Sequence, residues 1–148
     1  MKALETNWRG FRFRSRTEAR WAVALTTANI PFEYEPQGFD LPSGWYLPDF
    51  WLPERKQWLE IKGEEPSDRE LALARDLSSA SGRYVLIAVG PPDPDNDYLT
   101  SVWGQEPLSE VMLQLPSAAY AAARAERFDG KPQTAAKPSP NSARGWRP

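Results

Sequence analysis

In YLPDFWLPERKQWLEIKG, residues 46 to 63, Asp49, Glu60 and Lys62 interrupt two otherwise apolar runs. Two carboxylates and an amine are hard oxygen ligands and a cation, the side chains that magnesium-assisted phosphoryl chemistry uses. Side chains alternate along a strand, so Trp58, Glu60 and Lys62 share one face of WLEIK while Leu59 and Ile61 take the other, the face assigned to the core. If PERK closes as a symmetric four-residue loop, Leu52 pairs with Gln57, Trp51 with Trp58 and Asp49 with Glu60. Carboxylates about 5 Å apart at an effective dielectric near 20 repel by on the order of 3 kcal/mol. A divalent cation between them removes that conflict. The competing reading is a partly exposed face on which Glu60 and Lys62 form a solvated pair, a common arrangement in strands.

Glu18 is the third carboxylate of interest. SRTEARWAVALTTAN predicts a helix beginning near Ser15, with Ala22, Leu25 and Ala28 at helical spacing, Trp21 alongside and Pro31 soon after its end. Glu18 continues that apolar stripe, where an unpaired carboxylate is costly, so a ligand role is open to it. A cap is open too: Ser15-Arg16-Thr17-Glu18 fits a capping box in which Glu18 reaches back to the Ser15 backbone.

The elements that must position these residues follow from patterning. FEYEPQGFDL is aromatic and extended, with Pro36 and Gly38 marking a bend or an edge, and strands are expected around Trp45 to Leu52 and Gln57 to Lys62. PSDRELALARDLSSASG predicts a second helix stopping at Gly82, and RYVLIAVG a buried strand ended by the loop PPDPDNDY. EPLSEVMLQL fits helix or strand, while SAAYAAARAERF has high helix propensity. This order makes an α/β layer fold. One domain over residues 1 to 128 is expected, with 129 to 148, rich in Pro, Ser, Ala and Lys, as a disordered basic tail.

Composition narrows the chemistry. The 148 residues include no cysteine and no histidine, which excludes disulfides, thiolate nucleophiles, the usual zinc ligands and the usual general base. Any metal must sit on oxygen, which favours Mg2+ or Mn2+. No apolar run reaches the roughly 18 residues that span a bilayer, and MKALETNWRG lacks the apolar stretch of a signal peptide, so a cytoplasmic protein without membrane contact is expected. The net charge of -2 conceals basic ends: Lys2, Arg9, Arg12, Arg14 and Arg16 face only Glu5 at the start, and Lys131, Lys137, Arg144 and Arg147 face only Asp129 at the end.

Taken together, RSRTEARWA (14 to 22), YEPQGFDL (34 to 41), WYLPDFWLP (45 to 53) and WLEIKG (58 to 63) resemble the PD-(D/E)XK nuclease superfamily, in particular its small phage and mobile-element members. The resemblance covers roughly residues 10 to 90 and thins beyond. It implies a restriction-endonuclease-like αβββαβ core, a mixed central sheet flanked by helices, to which the alanine-rich segment adds a C-terminal helix. It also implies that Glu18, Asp49, Glu60 and the Ile61 backbone carbonyl hold Mg2+, with Lys62 beside the attacking water. The implied reaction is metal-dependent endonucleolytic hydrolysis of DNA that leaves 5'-phosphate ends. A homodimer would be one way to cut both strands. The alternative is a catalytically silent nuclease-fold module that binds DNA or protein in phage packaging or recombination.

The arginines admit two readings. Arg14, Arg16 and Arg20 surround Glu18, and WRGFRFR interleaves Arg12 and Arg14 with aromatic residues, as a phosphate-binding arm would. An edge strand with Phe11 and Phe13 inward and Arg12 and Arg14 outward fits equally. Arg16 and Arg20, four apart on one helix beside Glu18, are the better candidates for DNA contact. Lys56, Arg69 and Arg75 default to solvated surface.

Overall fold

A computed structural model describes residues 4 to 128; the expected tail over 129 to 148 lies outside them. The described chain opens with a hairpin of β1 (Thr6–Trp8) and β2 (Phe11–Phe13), so WRGFRFR is a hairpin of its own rather than an edge strand of the main sheet. Its inside-outside pattern is nevertheless the expected one, with Phe13 fully buried and Arg12 and Arg14 exposed. Helix α1 (Arg16–Thr27) follows, with Ser15 as N-cap accepting the Glu18 N–H.

Four short strands come next: β3 (Glu33–Tyr34), β4 (Phe39–Leu41), β5 (Gly44–Tyr46) and β6 (Phe50–Leu52). The single strand expected over 45 to 52 is therefore broken. β5 turns aside to pair with β4 as a small hairpin, whereas β6 joins the central sheet, and the chain changes partners at Leu47-Pro48-Asp49. Proline supplies no N–H to a ladder, which gives the break its cause.

β7 (Gln57–Lys62), α2 (Asp68–Ser81), β8 (Val85–Val89), β9 (Tyr98–Val102), β10 (Ser109–Met112) and α3 (Ser117–Ala125) complete the fold. α2 begins with a capping box between Ser67 and Glu70 and ends at Gly82 in the left-handed conformation, φ 67°, as the sequence predicts. The ambiguous EPLSEVMLQL contains strand β10, and β9 is an additional strand. Among the described residues the result is a mixed α/β fold with three helices and a six-stranded sheet ordered β10-β9-β8-β7-β6-β3, in which β7 and β8 are parallel and the other pairs antiparallel. Among the described residues no helix is long and apolar enough to cross a membrane.

Both faces of the sheet are buried. On one, Phe50, Leu52, Leu59 and Ile61 pack with Trp21, Ala22 and Leu25 of α1, and α3 lies along α1. On the other, Trp51, Trp58, Val85 and Ile87 pack under Leu73 and Leu77 of α2, with Leu41 and Tyr46 of the small hairpin closing the edge. β7 thus has core on both sides, as a central strand with a parallel neighbour and helices above and below must. The half-exposed face considered for Glu60 does not exist: Glu60 is 1% exposed.

Candidate active site

The β6–β7 ladder runs Leu52 to Gln57, Trp51 to Trp58 and Phe50 to Leu59, the register that closure through PERK demands. One step further lie Asp49 and Glu60, and there the backbone pairing gives way to side chains. The Asp49 N–H donates to Glu60 Oε1 at 2.6 Å, and the Ile61 N–H donates to Asp49 Oδ2 at 2.8 Å. Each carboxylate is thus held by an amide of the opposite segment. Another step would set Pro48 against Ile61, and proline has no N–H to give the Ile61 carbonyl. The Pro-Asp pair therefore does two things: it halts the ladder and puts a carboxylate where the next rung would be.

Electrostatics reflect this crowding. Burial, then the charge of Glu60, then that of Glu18, push the Asp49 carboxyl well above its usual range. Burial pushes Glu60 up to about 7, against hydrogen bonds from the Tyr46 hydroxyl and the Asp49 amide and the attraction of Lys62. Burial and Glu60 also raise Tyr46, which keeps its hydroxyl a neutral donor. The Lys62 ammonium stands 3.8 Å from Glu60 Oε2 and 2.8 Å from Glu70 Oε2. Burial alone would lower its pKa; the Glu70 hydrogen bond and the charges of Glu60, Glu70 and Asp49 more than reverse that.

Glu18 is buried near this pair, close enough for its charge to be felt at both Asp49 and Glu60. Its Oε2 accepts the Ser15 hydroxyl at 2.8 Å and its Oε1 the Tyr34 hydroxyl at 2.7 Å. The capping expectation is corrected in detail: Glu18 reaches the Ser15 side chain, which in turn accepts the Glu18 amide, rather than the Ser15 backbone. Tyr34 also accepts the Arg14 N–H, which ties β2, α1 and β3 together at this end of the sheet.

Glu70, Tyr46 and Tyr34 were not singled out from the sequence. Glu70 carried a signal, since Ser67-x-x-Glu70 is a capping box, and one carboxylate serves both jobs: Oε1 accepts the Ser67 N–H at 3.0 Å while Oε2 holds Lys62. The tyrosines meet their carboxylates only through tertiary packing.

Among the described residues no group of three or more acidic side chains is gathered as a ready-made cation cage. The donor chemistry nevertheless fits a hard divalent cation. Asp49 and Glu60 offer unspent carboxylate lone pairs, Ile61 offers a carbonyl without a ladder donor opposite, and Glu18 adds negative charge while the lone ammonium is shared with Glu70.

The arginines are placed as follows. Arg12 pairs with Glu5 at 2.6 Å and Arg14 with Glu35 at 2.8 Å, both on the surface hairpin side. Arg16 reaches the Phe128 carbonyl at 3.4 Å, and Arg20 donates to the carbonyls of Ala123 at 2.6 Å and Glu126 at 3.3 Å. Arg16 and Arg20 therefore point away from Glu18 and tie down the end of α3. No protein-family model matches the chain, and no curated protein or solved structure matches it.

Proposed function

We propose that this protein is a metal-dependent DNA endonuclease of the PD-(D/E)XK type with a restriction-endonuclease-like core. One observation carries the reading: a buried carboxylate, Glu60, and a half-buried one, Asp49, brace each other through backbone amides beside a lysine, at the end of a ladder stopped by proline. The order of elements supports it, because α1, the sheet strands β3, β6 and β7, then α2 and β8 follow an αβββαβ sequence, with the β4–β5 hairpin as an insertion.

In this reading Asp49, Glu60 and the Ile61 carbonyl hold Mg2+, or Mn2+, and Glu18 tunes the field from its seat between Ser15 and Tyr34. When bound, such a cation acidifies a water and offsets the negative charge that develops on phosphorus. Lys62 binds a non-bridging phosphate oxygen and stabilises the same charge, and Glu70 fixes its direction from the cap of α2. Tyr46 holds Glu60 in orientation by donating to it. Hydrolysis leaves 5'-phosphate ends.

The test is cleavage of supercoiled, linear, single-stranded and branched DNA with Mg2+, Mn2+ or EDTA, alongside Lys62→Ala and Asp49→Asn. Cleavage that needs the metal and disappears in both variants is expected. Activity persisting in EDTA or in both variants sinks the proposed centre, as does a wild-type protein that neither binds Mg2+ or Mn2+ by calorimetry nor cuts any of the substrates.

A further inference from the structure

Helical spacing sends Arg16 and Arg20 to the side of α1 opposite Glu18, where they meet the C-terminal end of α3. There, with Arg124 and Arg127, they line a cavity of about 670 Å³. A second cavity of about 290 Å³ shares Arg20 and Arg124 and continues to Pro91, Pro92 and Asp93. That loop leaves β8 at Gly90, whose N–H donates to the Lys62 carbonyl at 2.8 Å and whose carbonyl accepts Trp21 Nε1 at 2.9 Å. One groove therefore runs along the α1 side of the sheet from the end of α3 to the loop that follows β8, next to Gly90, which pairs with the backbone of the last β7 residue.

Capping accounts for part of this arrangement. Arg20 occupies the last carbonyls of α3 and lies 5.2 Å from the centre of the Phe128 ring, and Arg16 reaches the Phe128 carbonyl. It does not account for Arg124 and Arg127, which are exposed and whose side chains have no hydrogen bond or ion pair among the described residues. The acidic residue of the larger cavity, Glu126, is engaged by Trp8 Nε1 at 3.2 Å. Four guanidinium groups thus line the groove against two carboxylates, Glu126 and Asp93, and the side chains of Arg124 and Arg127 keep all their donors for the oxygens of an anion.

We infer that this groove holds the phosphodiester backbone of the DNA as it approaches the site, with Arg124 and Arg127 as the phosphate contacts and Arg16 and Arg20 building the wall behind them. The inference rests on the nuclease reading above and adds a binding track to it. Phosphate contacts position a strand without reading its sequence, so the track acts on any DNA.

Binding of a fluorescein-labelled 20-base-pair duplex, measured in EDTA across a salt series, tests it. The Arg124→Ala/Arg127→Ala protein is compared with wild type and with Arg55→Ala/Lys56→Ala, which removes equal charge at the far end of β7. The groove variant is expected to lose about tenfold or more in affinity, and the slope of log K against log salt to become shallower by about 2. The far-end variant is expected to stay within about twofold of wild type, with Tm unchanged in both. A groove variant that binds like wild type, a far-end variant that loses as much, or a wild type that does not bind the duplex overturns the groove. Calorimetry with Mn2+ separates the two ideas. Metal binding and cleavage with an indifferent groove variant reject the groove alone. Arginine-dependent duplex binding without metal binding or cleavage rejects the nuclease reading and leaves the groove.

Discussion

The two ends of the β6–β7 hairpin solve the same pairing problem with different groups. At the turn, Leu52 faces Gln57, the Leu52 carbonyl accepts the Lys56 and Arg55 amides at 2.7 and 3.2 Å, and the Trp51 and Trp58 rings sit 4.7 Å apart. At the open end the amides of Asp49 and Ile61 are taken by carboxylates. One end spends its side chains on apolar contact, and the other spends them on backbone hydrogen bonds. Apolar packing and the candidate site are thus separated along two strands within four rungs. Substituting at each end should therefore move different observables.

If the proposed nuclease reading holds, the largest effect falls on DNA cleavage, through the open end. Asp49→Asn keeps an oxygen for the Ile61 amide but loses the charge, so the cleavage rate should fall about a thousandfold, or about 4 kcal/mol in the barrier, while Tm holds or rises. A large drop in Tm would mean that the carboxylate is chiefly structural. At the turn end the pattern inverts: Trp58→Ala removes a fully buried ring and should cost about 3–5 kcal/mol in urea unfolding, with activity per folded molecule retained in the cold.

A smaller effect comes from pH. Folded Glu60 titrates at about 7 against an ordinary 4.5, so the native state holds the extra proton between those values. Unfolding is then increasingly favoured as pH rises through that window, and the metal-free protein should lose on the order of 3 kcal/mol between pH 4 and pH 8. The raised Asp49 works in the same direction. Unfolding in EDTA at several pH values checks the sign, and Glu60→Gln should flatten the profile; a wild type gaining stability across that window contradicts it. The smallest effect lies away from both ends. Arg20→Ala frees the last carbonyls of α3 and should cost about 1–2 kcal/mol, leaving metal affinity untouched.

The hairpin itself was legible because alternation and a four-residue loop fix register arithmetically, and that register put Asp49 beside Glu60. The first two helices were legible from caps and spacing, and α3 from its alanines. The small β4–β5 hairpin was not, because its strands are three residues each and their partners are chosen by a proline between two aromatic runs. Nor was the burial of Glu60, which follows from α2 and Tyr46 closing over a strand face that sequence alone leaves open. Glu18 illustrates a further limit. Helical spacing placed it on the inner face, but its choice of Tyr34 depends on a strand sixteen residues away.

The side-chain rung also supplies a spectroscopic handle. The amide protons of Asp49 and Ile61 lie against carboxylate oxygens, whereas their neighbours in the ladder lie against peptide carbonyls. Their nitrogen and proton shifts and their exchange with deuterium should follow the ionisation of Glu60 and Asp49, and then the arrival of a cation, while the amides of Leu59 and Trp58 stay constant. Two resonances in one hairpin would report the charge state of the centre without any label, substrate or turnover.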